Sequence, residues 1–120
     1  MAVVVVLGAS PKPERFAHRA QRLLAAHGHH AVPVNPAFGE IAGERCYPSI
    51  REVPSPIDTV TIYLGEARSK PLIDDILAAT PRRLIFNPGA ENKALAAKAE
   101  AAGILVVEDC TLVMLQSGSF

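Results

Sequence analysis

The sequence predicts an α/β fold in which a mostly parallel sheet of five strands carries helices on both faces. Three observations lead there. Short β-branched, apolar runs recur along the chain without polar alternation, as strands buried on both faces require. Segments of helical periodicity lie between them, and Gly, Pro or Asn punctuates each change of period. Strand–helix alternation at this spacing makes βαβ units, whose right-handed crossovers build a doubly wound, Rossmann-like sheet. The 120 residues suit a single domain, 1–120, with no internal repeat or linker.

The elements follow in order. Ala2 to Leu7 is a continuous apolar run, stopped by the turn-rich Gly8-Ala9-Ser10-Pro11-Lys12-Pro13. From Glu14 to His27 the period becomes helical, with Phe16, Ala20, Leu23, Leu24 and His27 on one face and Arg15, Arg19 and Arg22 on the other. Gly28 is the natural stop. His30 to Val34 reads as a second strand despite Pro33, and the proline-rich stretch 35–57 reads as a long connection with a small strand or turn near Tyr47 to Val53. Thr59 to Leu64 is the third strand. Ser69 is expected to cap a helix presenting Leu72, Ile73, Ile76 and Leu77. Arg83 to Phe86 is the fourth strand, Glu91 to Ala102 an Ala-rich helix, Ile104 to Val107 the fifth strand, and Thr111 to Leu115 a last short helix.

Composition narrows the function. Twelve Lys+Arg balance twelve Asp+Glu, so the basic excess of a general nucleic-acid or anionic-membrane binder is missing. With 5% aromatics and no Trp, base-stacking platforms are disfavoured. Ala2 to Leu7 is too short to span a bilayer and has no basic segment before it, so a cytoplasmic protein is expected. Cys46 and Cys110 lack zinc-site spacing and read as free thiols. His27, His29 and His30 fall at a helix end and strand start, away from the expected site, so no metal is assigned.

Ligands of such sheets sit beyond the carboxyl ends of the strands, where strand order reverses. That rule nominates Gly8 to Pro13, Asn35 to Phe38, Leu64 to Ser69 and Asn87 to Ala90. The first loop offers a small Gly8, the Ser10 hydroxyl, the Lys12 cation and a helix N-terminus; the fourth is another Gly turn before a helix. Both favour an anion such as a phosphate or pyrophosphate. A dinucleotide fingerprint is absent, and Asn35 stands where NAD's ribose needs an acid. Lys12 replaces the second glycine of a nucleophile elbow.

Five ordered motifs then carry a resemblance: Val6-Leu7-Gly8-Ala9-Ser10 with Lys12-Pro13; Val34-Asn35-Pro36; Gly43 to Ser49; Asn87-Pro88-Gly89-Ala90-Glu91-Asn92; and Cys110 to Leu115. Together they resemble small stand-alone CoA-binding domain proteins, similar in fold to the amino-terminal CoA-binding domain of the succinyl-CoA synthetase alpha subunit. The resemblance implies coenzyme A as ligand. By position it implies phosphates at Ala9, Ser10, Pro11, Lys12 and Pro13, ribose or adenine beside Asn35, Pro36 and Ala37, and a wall of Leu64, Asn87, Pro88 and Gly89. Family members often carry Lys soon after the Asn-Pro, whereas this chain has Ala37-Phe38, its nearest cations being Lys12, Arg15 and Arg45. The leading expectation is a non-catalytic module that binds CoA or an acyl-CoA. The alternatives are an acyl-CoA enzyme or subunit working through Cys110, Asp109 or Ser10, and a sensor of another adenine nucleotide. A homo-oligomer stays open.

Overall fold

In chain order the strands are β1 (Val3–Leu7), β2 (His30–Val34), β3 (Glu40–Ile41), β4 (Glu44–Arg45), β5 (Thr59–Ile62), β6 (Arg83–Phe86) and β7 (Leu105–Glu108). The helices are α1 (Phe16–Ala26), α2 (Glu66–Ser69), α3 (Ile73–Ala78), α4 (Lys93–Ala101) and α5 (Thr111–Ser117). The computed structural model describes residues 2–120. Five strands pair in parallel in the order β2-β1-β5-β6-β7, so the chain winds one way from β1 to β2 and the other way from β5 onward. The reversal lies between β1 and β5.

Period-two alternation sorts the buried strands onto two cores. Val4 and Val6 face α1 and α5 with Ala17, Leu24 and Leu115. Val5 and Leu7 face the opposite layer, where Val60, Ile62, Leu84 and Phe86 meet Ile73, Ile76 and Leu95 of α3 and α4. Pro33 is accommodated because its carbonyl points to the outer edge, where it accepts from Tyr47 N–H at 3.1 Å. Its missing N–H would face that edge too, so the ladder to β1 loses nothing.

Several expectations need correction. The stretch 35–57 contains the β3–β4 hairpin, whose turn residues Ala42 and Gly43 both have positive φ (52° and 80°). The short structure after Tyr47 is a 3₁₀ turn, Ile50–Glu52, capped by the Ser49 side chain on Arg51 N–H. Ser69 does not start a helix. Gly65 does, and a 3₁₀ segment at Lys70–Leu72 joins α2 to α3. Ser69 is fully buried and accepts from Asn92 Nδ2 at 2.9 Å. Asn92 also caps α4 by accepting from Leu95 N–H, so that helix starts at Lys93 rather than Glu91.

The buried face of α1 is also rotated from the expected one. Phe16 is 64% exposed, while His18 and Gln21 are buried. Both side chains reach main-chain carbonyls: His18 Nδ1 donates to Ser10 O at 2.9 Å, and Gln21 Nε2 donates to Ile41 O at 2.9 Å, while Gln21 Oε1 is buried without a partner. The arginines Arg15, Arg19 and Arg22 do face solvent.

At the carboxyl end of the sheet, Asn87 links three elements. Its Nδ2 donates to Thr61 Oγ1 (2.7 Å) and Ile62 O (3.0 Å), and its Oδ1 accepts from Thr111 N–H (2.9 Å). Replacing it with Ala leaves the buried Thr111 N–H without its acceptor and takes one bond each from Thr61 Oγ1 and Ile62 O, so Asn87→Ala should cost about 2–4 kcal/mol of stability. A urea midpoint within error of the parent would contradict that role. His18→Leu removes the bond that ties the first loop to α1 and should cost about 1–2 kcal/mol by the same measurement.

Candidate functional site

The site begins at the end of β1. Gly8 has φ +88°, and a Cβ built there would stand 2.8 Å from Leu64 Cδ2 and 3.3 Å from the Tyr63 carbonyl carbon. Only glycine satisfies both demands. Its smallness serves the approach of the β5 end, so Gly8 shapes the site by closing β1 against Leu64.

The first loop is then anchored on β2. Gly8 N–H and Ala9 N–H both reach Val34 O (3.1 and 3.3 Å), and Asn35 Nδ2 donates to Ala9 O at 2.8 Å. Asn35 Oδ1 accepts from Ala37 N–H at 2.8 Å. The amides of Gly8 and Ala9 and both ends of Asn35 are therefore spent on the protein itself. Ala9 is buried in the α1-side core, and Pro13 and Ala37 line neither cavity described below.

Two adjoining cavities lie over the strand-order reversal. The more polar one, of about 420 Å³, has a mixed lining: Ser10, Pro11, Lys12 and Arg15 from the first loop, with Asn87, Pro88 and Gly89 opposite. Phe16 and Phe38 stand at it as exposed aromatics. α1 enters with neither a side-chain cap nor an acidic residue in its first turn, leaving first-turn amides and the positive end of its dipole facing the cavity. Ser10 Oγ accepts from Lys12 N–H at 3.2 Å and keeps its proton to donate.

The second cavity, of about 270 Å³, is mainly apolar: Leu7, Val34, Pro36, Ile50 and Leu72 line it. Asp75 reaches its edge, but the carboxylate is engaged by Arg51. Four residues line both cavities: Gly8, Asn35, Leu64 and Arg68. Arg68 lies within the nominated stretch Leu64 to Ser69, but nothing in the sequence singles it out as a site cation, because which side of the short helix α2 meets the cavities is set by the fold.

The fourth loop departs from expectation. The Gly89 N–H is held by the Glu91 carboxylate (3.1 and 3.2 Å), and the α4 N-terminus is capped by Asn92. An anion there would meet a like charge, so Asn87 to Gly89 serve as wall rather than as phosphate donors. Beneath that wall, burial pushes the Tyr63 phenol up to about 12, opposed by the nearby Thr61 and Thr111 hydroxyls. The phenol is thus a neutral group at the cavity floor, and its buried oxygen has no hydrogen-bond partner.

Arg45 is not at the site; it stacks on Tyr47, 4.9 Å from the ring centroid. Cys110 is half-buried, precedes α5 and lines neither cavity, and its N–H donates to Asp109 Oδ1 at 2.7 Å. His29 packs on Phe120 and His30 lies 3.8 Å from Glu44, both away from the cleft. Among the described residues, no group of three or more His, Cys, Asp or Glu gathers as for a metal, and no helix is long and apolar enough to cross a membrane.

The fold and the sequence have known relatives. A solved crystal structure of an uncharacterized protein superposes with a TM-score of 0.94 at 39% identity, covering 100% of this chain and 98% of that one. In sequence, the chain is 32% identical over 60 residues to YneT of Bacillus subtilis (strain 168), covering 50% of this chain and 44% of YneT. It is 35% identical over 62 residues to the acetate–CoA ligase (ADP-forming) I of Archaeoglobus fulgidus, covering 52% of this chain and 9% of the ligase. These matches span less than half the length of either curated relative. The CoA binding domain family matches residues 2–116, and the chain belongs to that family.

Proposed function

We propose that this chain binds coenzyme A, or an acyl-CoA, by its phosphate and adenosine parts and carries out no chemistry on it. The observation that carries the reading is the pair of joined cavities at the strand-order reversal, one bearing Lys12 and Arg15 and the other mainly apolar. The pyrophosphate goes to the polar cavity, where Lys12, Arg15, the Ser10 hydroxyl and the uncapped start of α1 favour negative charge. The adenine goes to the apolar cavity beside Pro36 and Ile50, whose walls take a flat ring without unpaired polar groups. The pantetheine arm then runs outward past Phe16 and Phe38.

The family supports CoA as the ligand, and the residues fit it. The acetate–CoA ligase of Archaeoglobus fulgidus matches over only 9% of its length, so its name supports a shared ligand rather than a shared reaction. Cys110 and Asp109 line neither cavity, which weighs against the acyl-CoA enzyme that would use them. No metal is needed for this binding mode, and the reducing cytoplasm suits its two free thiols.

A ligand that binds only the folded chain stabilises it by RT ln(1 + [L]/Kd), about 2.7 kcal/mol at a hundredfold excess over Kd. For a domain of this size the melting temperature should rise by roughly 5–10 °C with CoA. Equimolar NAD or ATP should shift it less, and a larger shift from NAD would overturn the ligand assignment. Lys12→Ala should weaken CoA binding by about tenfold at low salt and less at high salt, because its contribution is electrostatic. Binding by Lys12→Ala at parent affinity would move the phosphates out of the first loop.

A further inference from the structure

Arg68 is the cation common to the two cavities. Lys12 and Arg15 line only the polar one, and Asp75, the acid at the apolar one, is compensated by Arg51. Arg68 itself is exposed in the short helix α2, and among the described residues its side chain makes no ion pair or hydrogen bond. The position after Asn35-Pro36 supplies no cation, since Ala37 and Phe38 stand there.

The chemistry of the ligand makes that placement consequential. In CoA the ribose links the adenine to the pyrophosphate and carries its own phosphate. With the base in the apolar cavity and the pyrophosphate in the polar one, the ribose must cross the wall that both share. Of the four residues in that wall, Gly8 and Leu64 are apolar and Asn35 has its polar atoms committed. A ribose monoester carries a charge of about −1.5 to −2 at neutral pH and favours the planar, two-pronged donor of a guanidinium.

We propose that Arg68 is the specificity-determining residue of this cleft: it reads the ribose 3′-phosphate that separates CoA from dephospho-CoA. This rests on the CoA reading above. An adenine nucleotide without that phosphate gains nothing from Arg68, which makes the residue a selector rather than a general anchor.

The test is a set of titrations of the purified chain with CoA and with dephospho-CoA, at low and high salt. The parent should bind CoA about tenfold more tightly than dephospho-CoA, a preference that shrinks with salt. Arg68→Ala should lose that preference by weakening CoA alone, and Arg68→Lys should keep part of it through charge without the fork. Lys12→Ala should weaken both ligands together and keep their ratio. Arg68 is exposed and unpaired among the described residues, so these variants should melt with the parent. An unchanged CoA to dephospho-CoA ratio in Arg68→Ala would overturn the proposal while leaving CoA binding in place. A parent that does not distinguish the two ligands would overturn it in the same way. A parent that binds neither ligand would overturn the CoA reading, and this proposal with it.

Discussion

No Cβ fits between Gly8 and Leu64. One built on Gly8 would lie 2.8 Å from Leu64 Cδ2, on a backbone already at φ +88°. That contact lets β1 end directly against the turn that follows β5, at the place where the sheet reverses its winding. The cleft depends on it. If the two turns stood apart, the apolar and polar cavities would no longer share the wall that Gly8 and Leu64 build.

The polar groups around the cleft divide into two sets with different duties. Asn35, Asn87, Gly89 and Asn92 are spent on other protein groups, and their bonds hold the strand ends, α4 and α5 in place. Ser10, Lys12, Arg15 and Arg68 are the groups left to face a ligand. The division follows from topology. Strand ends carry main-chain groups that the ladder no longer pairs, and nearby amide side chains are the cheapest means of satisfying them. Cations need no such partner inside the protein and stay open to solvent or ligand.

Much of the fold was legible because parallel strands buried on both faces leave an unbroken apolar trace. His30–Val34 and Arg83–Phe86 match expectation to the residue, and β1, β5 and β7 differ by one or two residues at their ends. The β3–β4 hairpin was not legible. Its turn places Ala42, a residue without the usual tolerance for positive φ, where Asn or Gly would have signalled it. The α1 face was misread because hydrophobicity cannot register a buried His18 or Gln21 whose partners, Ser10 O and Ile41 O, are main-chain atoms elsewhere. The same blindness affected the site. The four loops at the strand ends could be nominated from sequence, and they do meet around the cleft. Which of their groups are already satisfied is not legible in the sequence: the Gly8 amide is taken by Val34 O and the Gly89 amide by the Glu91 carboxylate.

The central claim is that the cleft over the β1–β5 reversal takes the nucleotide end of CoA, with the phosphates at the start of α1. Amide hydrogen exchange with and without CoA tests it most directly, because it locates ligand protection along the chain. The account predicts added protection across Ser10 to His18, with a second protected stretch around Leu64 to Ser69, and little change from Asn92 into α4 or around His27 to His30. Protection centred on the α4 N-terminus or the histidine segment, with the first loop unchanged, would contradict it.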